Sequence, residues 1–134
     1  MDLGLTGRVA VVTAASKGLG RASAQALAAE GAKIVLNART ASTLEDLAAT
    51  MPDAIVVPGD ITDPAVPALL VEAAVARWGR VDIVVGNAGG PPTGRALDVD
   101  DDQILAAVNA NMLASIRLAR AAVPHMRRQQ WGRI

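Results

Sequence analysis

Four short runs made almost wholly of apolar residues, each followed by a stretch of helical periodicity, constrain this chain more than any other feature. RVAVVT (8–13), KIVLNA (33–38), AIVVPGD (54–60) and VDIVVGN (81–87) do not alternate polar with apolar side chains. Strands of that kind need cover on both faces, the condition of a parallel sheet between helices. One helical pattern runs from Gly18 to Glu30 and stops at Gly31, a residue suited to a left-handed cap. A shorter one has Ser42 and Glu45 spaced as a capping box ahead of Leu44, Leu47 and Ala48. A third opens with Asp63 as N-cap and Pro64 as first helical residue and runs to Trp78. The last spans Asp100 to Arg128, with Ile104, Leu105, Val108, Met112, Ser115, Ile116 and Ala119 on one periodic face. Acidic residues 100 to 102 at its start, and Arg127 and Arg128 at its end, suit the helix dipole.

Right-handed crossovers turn this alternation into an α/β fold, a doubly wound parallel sheet of the Rossmann type in three α/β/α layers with strand order 3-2-1-4. The fourth strand is then an edge, and an apolar edge without lysine or proline recruits another strand. The final residues, WGRI, read as the beginning of that covering strand. The expectation is one domain over residues 1–134 that is the amino-terminal portion of a longer fold, incomplete on its carboxy-terminal side.

Composition narrows the function classes. Thirteen basic residues balance thirteen acidic ones, so no general field draws nucleic acid or anionic membrane to the surface. There is no cysteine and one histidine, His125, which argues against disulfides, metal sites and histidine-based triads. The first residues, MDLGLTGR, lack a signal-peptide pattern, and no apolar run approaches the ~18 residues of a membrane span. A cytoplasmic location is expected. The aromatic residues are Trp78 and Trp131 alone, with no tyrosine.

The turn from the first strand into the first helix, TAASKGLG (13–20), carries the chemistry. Backbone N–H groups there have no helical acceptor, the dipole adds partial positive charge, and Gly18 and Gly20 permit close approach of a diphosphate. The same two glycines would also serve helix-to-strand packing alone. A second set of signals lies at the carboxyl ends of the other strands, where open α/β sheets bind ligands: GDIT ends the third, and GNAG ends the fourth.

With these motifs the sequence resembles the short-chain dehydrogenase/reductase family, in the manner of its 3-oxoacyl-ACP reductases. TAASKGLG is similar to the family's TGxxxGxG loop, GDIT to its adenine-contacting segment and GNAG to its NNAG. NMLASIRLARAAVPHM (111–126) resembles its fourth-helix segment. The resemblance covers essentially the whole chain. It implies that Thr13, Ser16, Lys17, Gly18, Leu19 and Gly20 form a phosphate loop, that Asp60 and Ile61 hold an adenine, and that Asn87, Ala88 and Gly89 lie along a nicotinamide ribose. By the Asn-to-Pro-His-Met spacing it selects Asn111, not Asn109, as the family's catalytic asparagine, supporting a lysine through a water held by a kinked helix backbone. Two positions depart from the pattern. Ala14 stands for the first glycine of the loop; a positive φ there would cost roughly 1–2 kcal/mol, and an ordinary φ, which costs little and only narrows the loop, is the expectation. Gly86 stands for the first asparagine of NNAG.

The second strand ends Asn37-Ala38-Arg39, without the carboxylate that reads two free ribose hydroxyls. Arg39 can pair with a 2′-phosphate, with Lys17 approaching from the loop; the resemblance agrees, and NADP is the expected coenzyme. The alternative reading is that both are solvated surface cations. Reduction of a carbonyl also needs a proton donor. The family's tyrosine, lysine and serine fall beyond Ile134, so the chain by itself lacks the acid and is expected to be inactive alone. The implied partners are a small carbonyl or alcohol substrate, such as a 3-oxoacyl thioester, and further copies of the chain in a dimer or tetramer, with Ala106, Ala107, Ala110 and Ala114 permitting helix contact. Residues 89–94 read as a substrate-entrance wall or a plain connecting turn, and His125 as a structural or surface residue. A non-catalytic dinucleotide-binding or sensor module is the alternative. A methyltransferase fits less well, because Asn37 stands where an acid would bind ribose.

Overall fold

A computed structural model describes residues 1–90 and 93–134; the expected proline wall at Pro91 and Pro92 lies outside the described residues. Four parallel strands, β1 (Val9–Val12), β2 (Lys33–Leu36), β3 (Ala54–Val56) and β4 (Ile83–Val85), form one sheet in the order β3-β2-β1-β4. Val11 stands opposite Val35 on one side and Val84 on the other, and Val35 opposite Ile55. The strands are apolar throughout because each feeds two cores. Val9, Val11, Val35 and Val84 face one layer, and Ala10, Val12, Ile34 and Leu36 face the other.

Helices α1 (Gly18–Ala29) and α2 (Ala41–Ala48) close the second face with Ala24, Ala28, Leu44 and Leu47. Helices α3 (Val66–Trp78) and α5 (Ala114–Gln129) close the first with Leu70, Ala74, Leu118 and Ala122. Each fully buried leucine contributes about 1.5–3 kcal/mol. Among the described residues, no helix is long and apolar enough to cross a membrane.

Three local expectations are corrected. The N-cap of α2 is Thr40, without a side-chain cap, and Ser42 lies inside the helix; the Ser42–Glu45 capping box does not form. Asp63 caps a turn ahead of α3, its carboxylate accepting from Ala65 N at 2.9 Å, while α3 begins at Val66. The long helical stretch is not uniform. It runs as α4 (Asp101–Ala107), a π-helical turn (Val108–Leu113) and α5. The missed capping box is at α4, where Asp100 accepts from Gln103 N at 2.8 Å and Gln103 accepts from Asp100 N at 3.0 Å.

At the amino ends of the strands, the fully buried Asp82 gathers Val9 N at 2.9 Å, Arg80 Nη2 at 2.6 Å and Arg8 Nη1 at 3.2 Å. Burial opposes its ionisation, yet the Arg80 hydrogen bond, the Val9 N–H and the arginine charges together hold the carboxyl below its ordinary range. Beside it, Arg133 N donates to Asp82 O at 3.0 Å, Val84 N donates to Arg133 O at 3.0 Å, and Arg133 bridges Ile83 in parallel. The WGRI segment thus lies along β4 as expected, with the Arg8 and Arg133 guanidiniums 3.9 and 4.8 Å from the centre of the Trp131 ring.

Candidate functional site

The carboxyl ends of all four strands meet at the loop after β1, and three polar staples set their spacing. Thr13, fully buried, accepts from Asn87 N at 2.9 Å and donates to Asn87 O at 2.6 Å. That ties β1 to the segment after β4. Ala15 N donates to Asn37 O at 2.9 Å, tying the loop to β2. Asn37, 1% exposed, donates through Nδ2 to Val57 O at 3.0 Å and Gly59 O at 3.2 Å. Its amide N–H groups are consumed inside the fold, and the first polar side chain beyond β2 facing solvent is Arg39.

The loop is more strained than the sequence suggests. Ala14 has φ 49, in the left-handed region, which corrects the expectation of an ordinary φ there; the methyl costs roughly 1–2 kcal/mol. Gly18 shares that hand at φ 55. Gly20 is required for a different reason. A Cβ on it would overlap the Ala14 carbonyl and stand 2.9 Å from Asn87 Nδ2. The first turn of α1 therefore presses against the loop's own backbone.

Lys17 is the N-cap of α1, extended at φ −156, and no side chain caps the helix. The first-turn N–H groups of Gly18, Leu19 and Gly20 are left without a helical acceptor. Ser16 is half-buried, while Lys17 and Leu19 are exposed. Among the described residues, neither Lys17 nor Arg39 forms an ion pair. Asp60 accepts from Thr62 N at 2.9 Å and Thr62 Oγ1 at 2.8 Å. These two bonds, aided by the Arg39 charge, hold its carboxyl below its usual range against slight desolvation.

Ile61 packs partly against the core. Asn87 and Ala88 are half-buried and Gly89 is exposed. Thr13, Ile61, Asn87, Ala110 and Ser115 line one narrow crevice, which brings the π-helical turn to the loop. The departure at Gly86 has a local reason, since a Cβ there would stand 3.1 Å from Ser115 Oγ.

Asn111 is exposed on the π-helical turn, and its Nδ2 donates to Ala107 O at 3.0 Å. Such turns recur at functional positions because they displace one residue from the regular helical register. A cavity of about 620 Å³ adjoins it, lined by Thr93, Val99, Ile104, Val108, Asn111 and Met112 among others. Asn109 received no role in the sequence reading. In the structure it donates to Thr62 O at 3.3 Å and accepts from Arg117 Nη1 at 2.7 Å.

Comparison with known proteins agrees with this arrangement. The model of the short chain dehydrogenase family matches residues 8–134. Versicolorin reductase 1 of Aspergillus parasiticus is 38% identical over 97% of this chain and 51% of its own length. The crystal structure of L-sorbose reductase from Gluconobacter frateurii, complexed with NADPH and L-sorbose, superposes with a TM-score of 0.92 at 34% identity, covering 98% of this chain and 52% of that one. A short-chain dehydrogenase from Streptomyces avermitilis gives 0.87 at 35%, over 94% of this chain and 47% of its own. The chain spans about half the length of the relatives it matches. With the strand order β3-β2-β1-β4 in place and the family model matched over residues 8–134, the chain belongs to the short chain dehydrogenase family.

Proposed function

We propose that this chain is the coenzyme-holding part of a cytoplasmic oxidoreductase that moves a hydride between NADP(H) and a ketone or secondary alcohol, 3-oxoacyl thioesters being the first candidates. One observation carries the choice of coenzyme: two exposed cations, Lys17 and Arg39, form no ion pair among the described residues, beside a loop whose neighbour Asn37 already spends its amide N–H groups inside the fold. The loop suits such a ligand. A Cβ at Gly18 or Gly89 would meet nothing within 4 Å, so the space over the helix mouth is open. The NADPH complex of L-sorbose reductase supports the same choice.

When bound, the coenzyme supplies the hydride. The chain binds and orients it. N–H groups of Ser16, Gly18, Leu19 and Gly20 take the diphosphate, and Lys17 and Arg39 take the 2′-phosphate. Asp60 and Ile61 hold the adenine; Asn87, Ala88 and Gly89 align the nicotinamide ribose. Thr13, with its hydroxyl already engaged, serves by fixing Asn87. Asn111 retains an oxygen that, among the described residues, accepts no hydrogen bond and can hold a water in a proton relay. We assign the acid to no residue of this chain. There is no tyrosine, Lys33 sits at the opposite end of the sheet near Asp53, and His125 pairs with Arg128. Ile104, Leu105 and Met112, exposed on α4 and the π-helical turn, support a homodimer or homotetramer.

Fluorescence titration of the gene product with NADPH and NADH tests the reading, followed by assay on ketones. NADPH should bind at least about tenfold more tightly, a difference of some 1.4 kcal/mol. Equal affinities would reject the NADP assignment, and binding of neither would reject the oxidoreductase.

A further inference from the structure

We propose that Asn109 is a positioning residue that couples the adenine-side segment, residues 60 to 62, to the π-helical turn carrying Asn111. The inference rests on the coenzyme reading above and assigns the coupling to one side chain.

Both ends of the Asn109 amide have partners of fixed polarity. Thr62 O can only accept and Arg117 can only donate, so Nδ2 faces Thr62 and Oδ1 faces Arg117 without ambiguity. Thr62 is itself held at N and Oγ1 by the Asp60 carboxylate, and Asp60 feels the charge of Arg39. A contiguous hydrogen-bonded path therefore leads from Asp60 through Thr62 and Asn109 to Arg117. Asn109 also supplies the backbone carbonyl that accepts from Ala114 N, five residues on, the bond that makes the turn π-helical. Asn111 lies two residues further in the same turn. Its backbone carbonyl receives Ser115 Oγ at 3.0 Å, and its position follows that of the turn.

A ligand that orders residues 60 to 62 thus fixes the Thr62 carbonyl and, through Asn109, steadies the turn that presents Asn111. A helix held only by its own backbone would not sense the adenine.

Amide hydrogen exchange on the gene product tests this, with adenosine 2′,5′-bisphosphate as a probe that lacks the nicotinamide half. In the wild type the probe should slow exchange at residues 60 to 62 and also, by about fivefold, across Val108–Leu113. In Asn109→Ala the first effect should persist and the second vanish. Asn109→Asp guards against simple misfolding. Its carboxylate keeps Arg117 but cannot donate to Thr62 O, so it too should lose the distant protection while melting close to the wild type. Distant protection that survives in Asn109→Asp, or that is absent in the wild type although residues 60 to 62 respond, would overturn the coupling. A probe that protects neither the loop nor residues 60 to 62 would overturn the coenzyme reading itself.

Discussion

Gly20 and Ala14 meet backbone to backbone, so closely that a methyl on Gly20 would overlap the Ala14 carbonyl. Ala14 in turn holds φ 49, a strain that the surrounding staples impose. A methyl is unfavourable at both positions, so removing the one and adding the other should shift stability in opposite directions. Ala14→Gly should stabilise the protein by about 0.5–1 kcal/mol, the relief of left-handed strain offset by a freer unfolded chain. Gly20→Ala should destabilise it by about 1–3 kcal/mol and weaken NADPH. Urea unfolding checks both; a destabilised Ala14→Gly would show that the left-handed turn carries no strain.

Coenzyme choice should turn on Arg39. Arg39→Asp removes a cation and places a second carboxylate near Asp60, whose charge Arg39 now favours. NADPH affinity should fall about 10–100-fold, with NADH unchanged or improved, and the NADPH loss should shrink as salt rises. Fluorescence titration at two ionic strengths measures this. Unchanged selectivity would place the 2′-phosphate elsewhere.

The layers of the fold were legible because β1, β2 and β4 are apolar on both sides, and only a sandwiched parallel sheet accommodates that. The strand order and the pairing of Arg133 beside Ile83 followed from the crossover rule and from the bare β4 edge. What escaped was set by tertiary contact. The left-handed Ala14 depends on where α1 docks, and alanine gives no local hint of it. The capping box at Ser42 and Glu45 lost to a helix whose N-cap lies two residues earlier, at Thr40. The π-helical turn has no periodicity of its own within a six-residue span, and Asn109 draws its meaning from Thr62, 47 positions away.

Acid should act on the protein through Asp82. Its pKa is lowered in the folded state from 3.8, so the unfolded chain binds its proton at the higher pH and stability rises with pH through that window. The stabilisation is complete above the unfolded value and is lost as pH falls through the folded one. Asp82→Asn should cost about 2–4 kcal/mol near neutrality. It should also flatten the fall of melting temperature below about pH 4. Calorimetric scans from roughly pH 3 to pH 7 compare the two proteins. Parallel pH profiles would assign the acid sensitivity to other carboxylates.

Gly86 and Ser115 should be energetically coupled. A Cβ on Gly86 would stand 3.1 Å from Ser115 Oγ, and that hydroxyl is held by Asn111 O at 3.0 Å. It cannot retreat without giving up its bond to the π-helical turn. Gly86→Asn alone should therefore destabilise by about 1–2 kcal/mol. In Ser115→Ala the hydroxyl is gone, and the same asparagine should cost less, by about 0.5–1 kcal/mol. A double-mutant cycle by chemical denaturation yields the coupling directly. If Gly86→Asn costs the same in both backgrounds, Ser115 is not the reason that glycine occupies this position, and the crowding lies with the backbone of the turn.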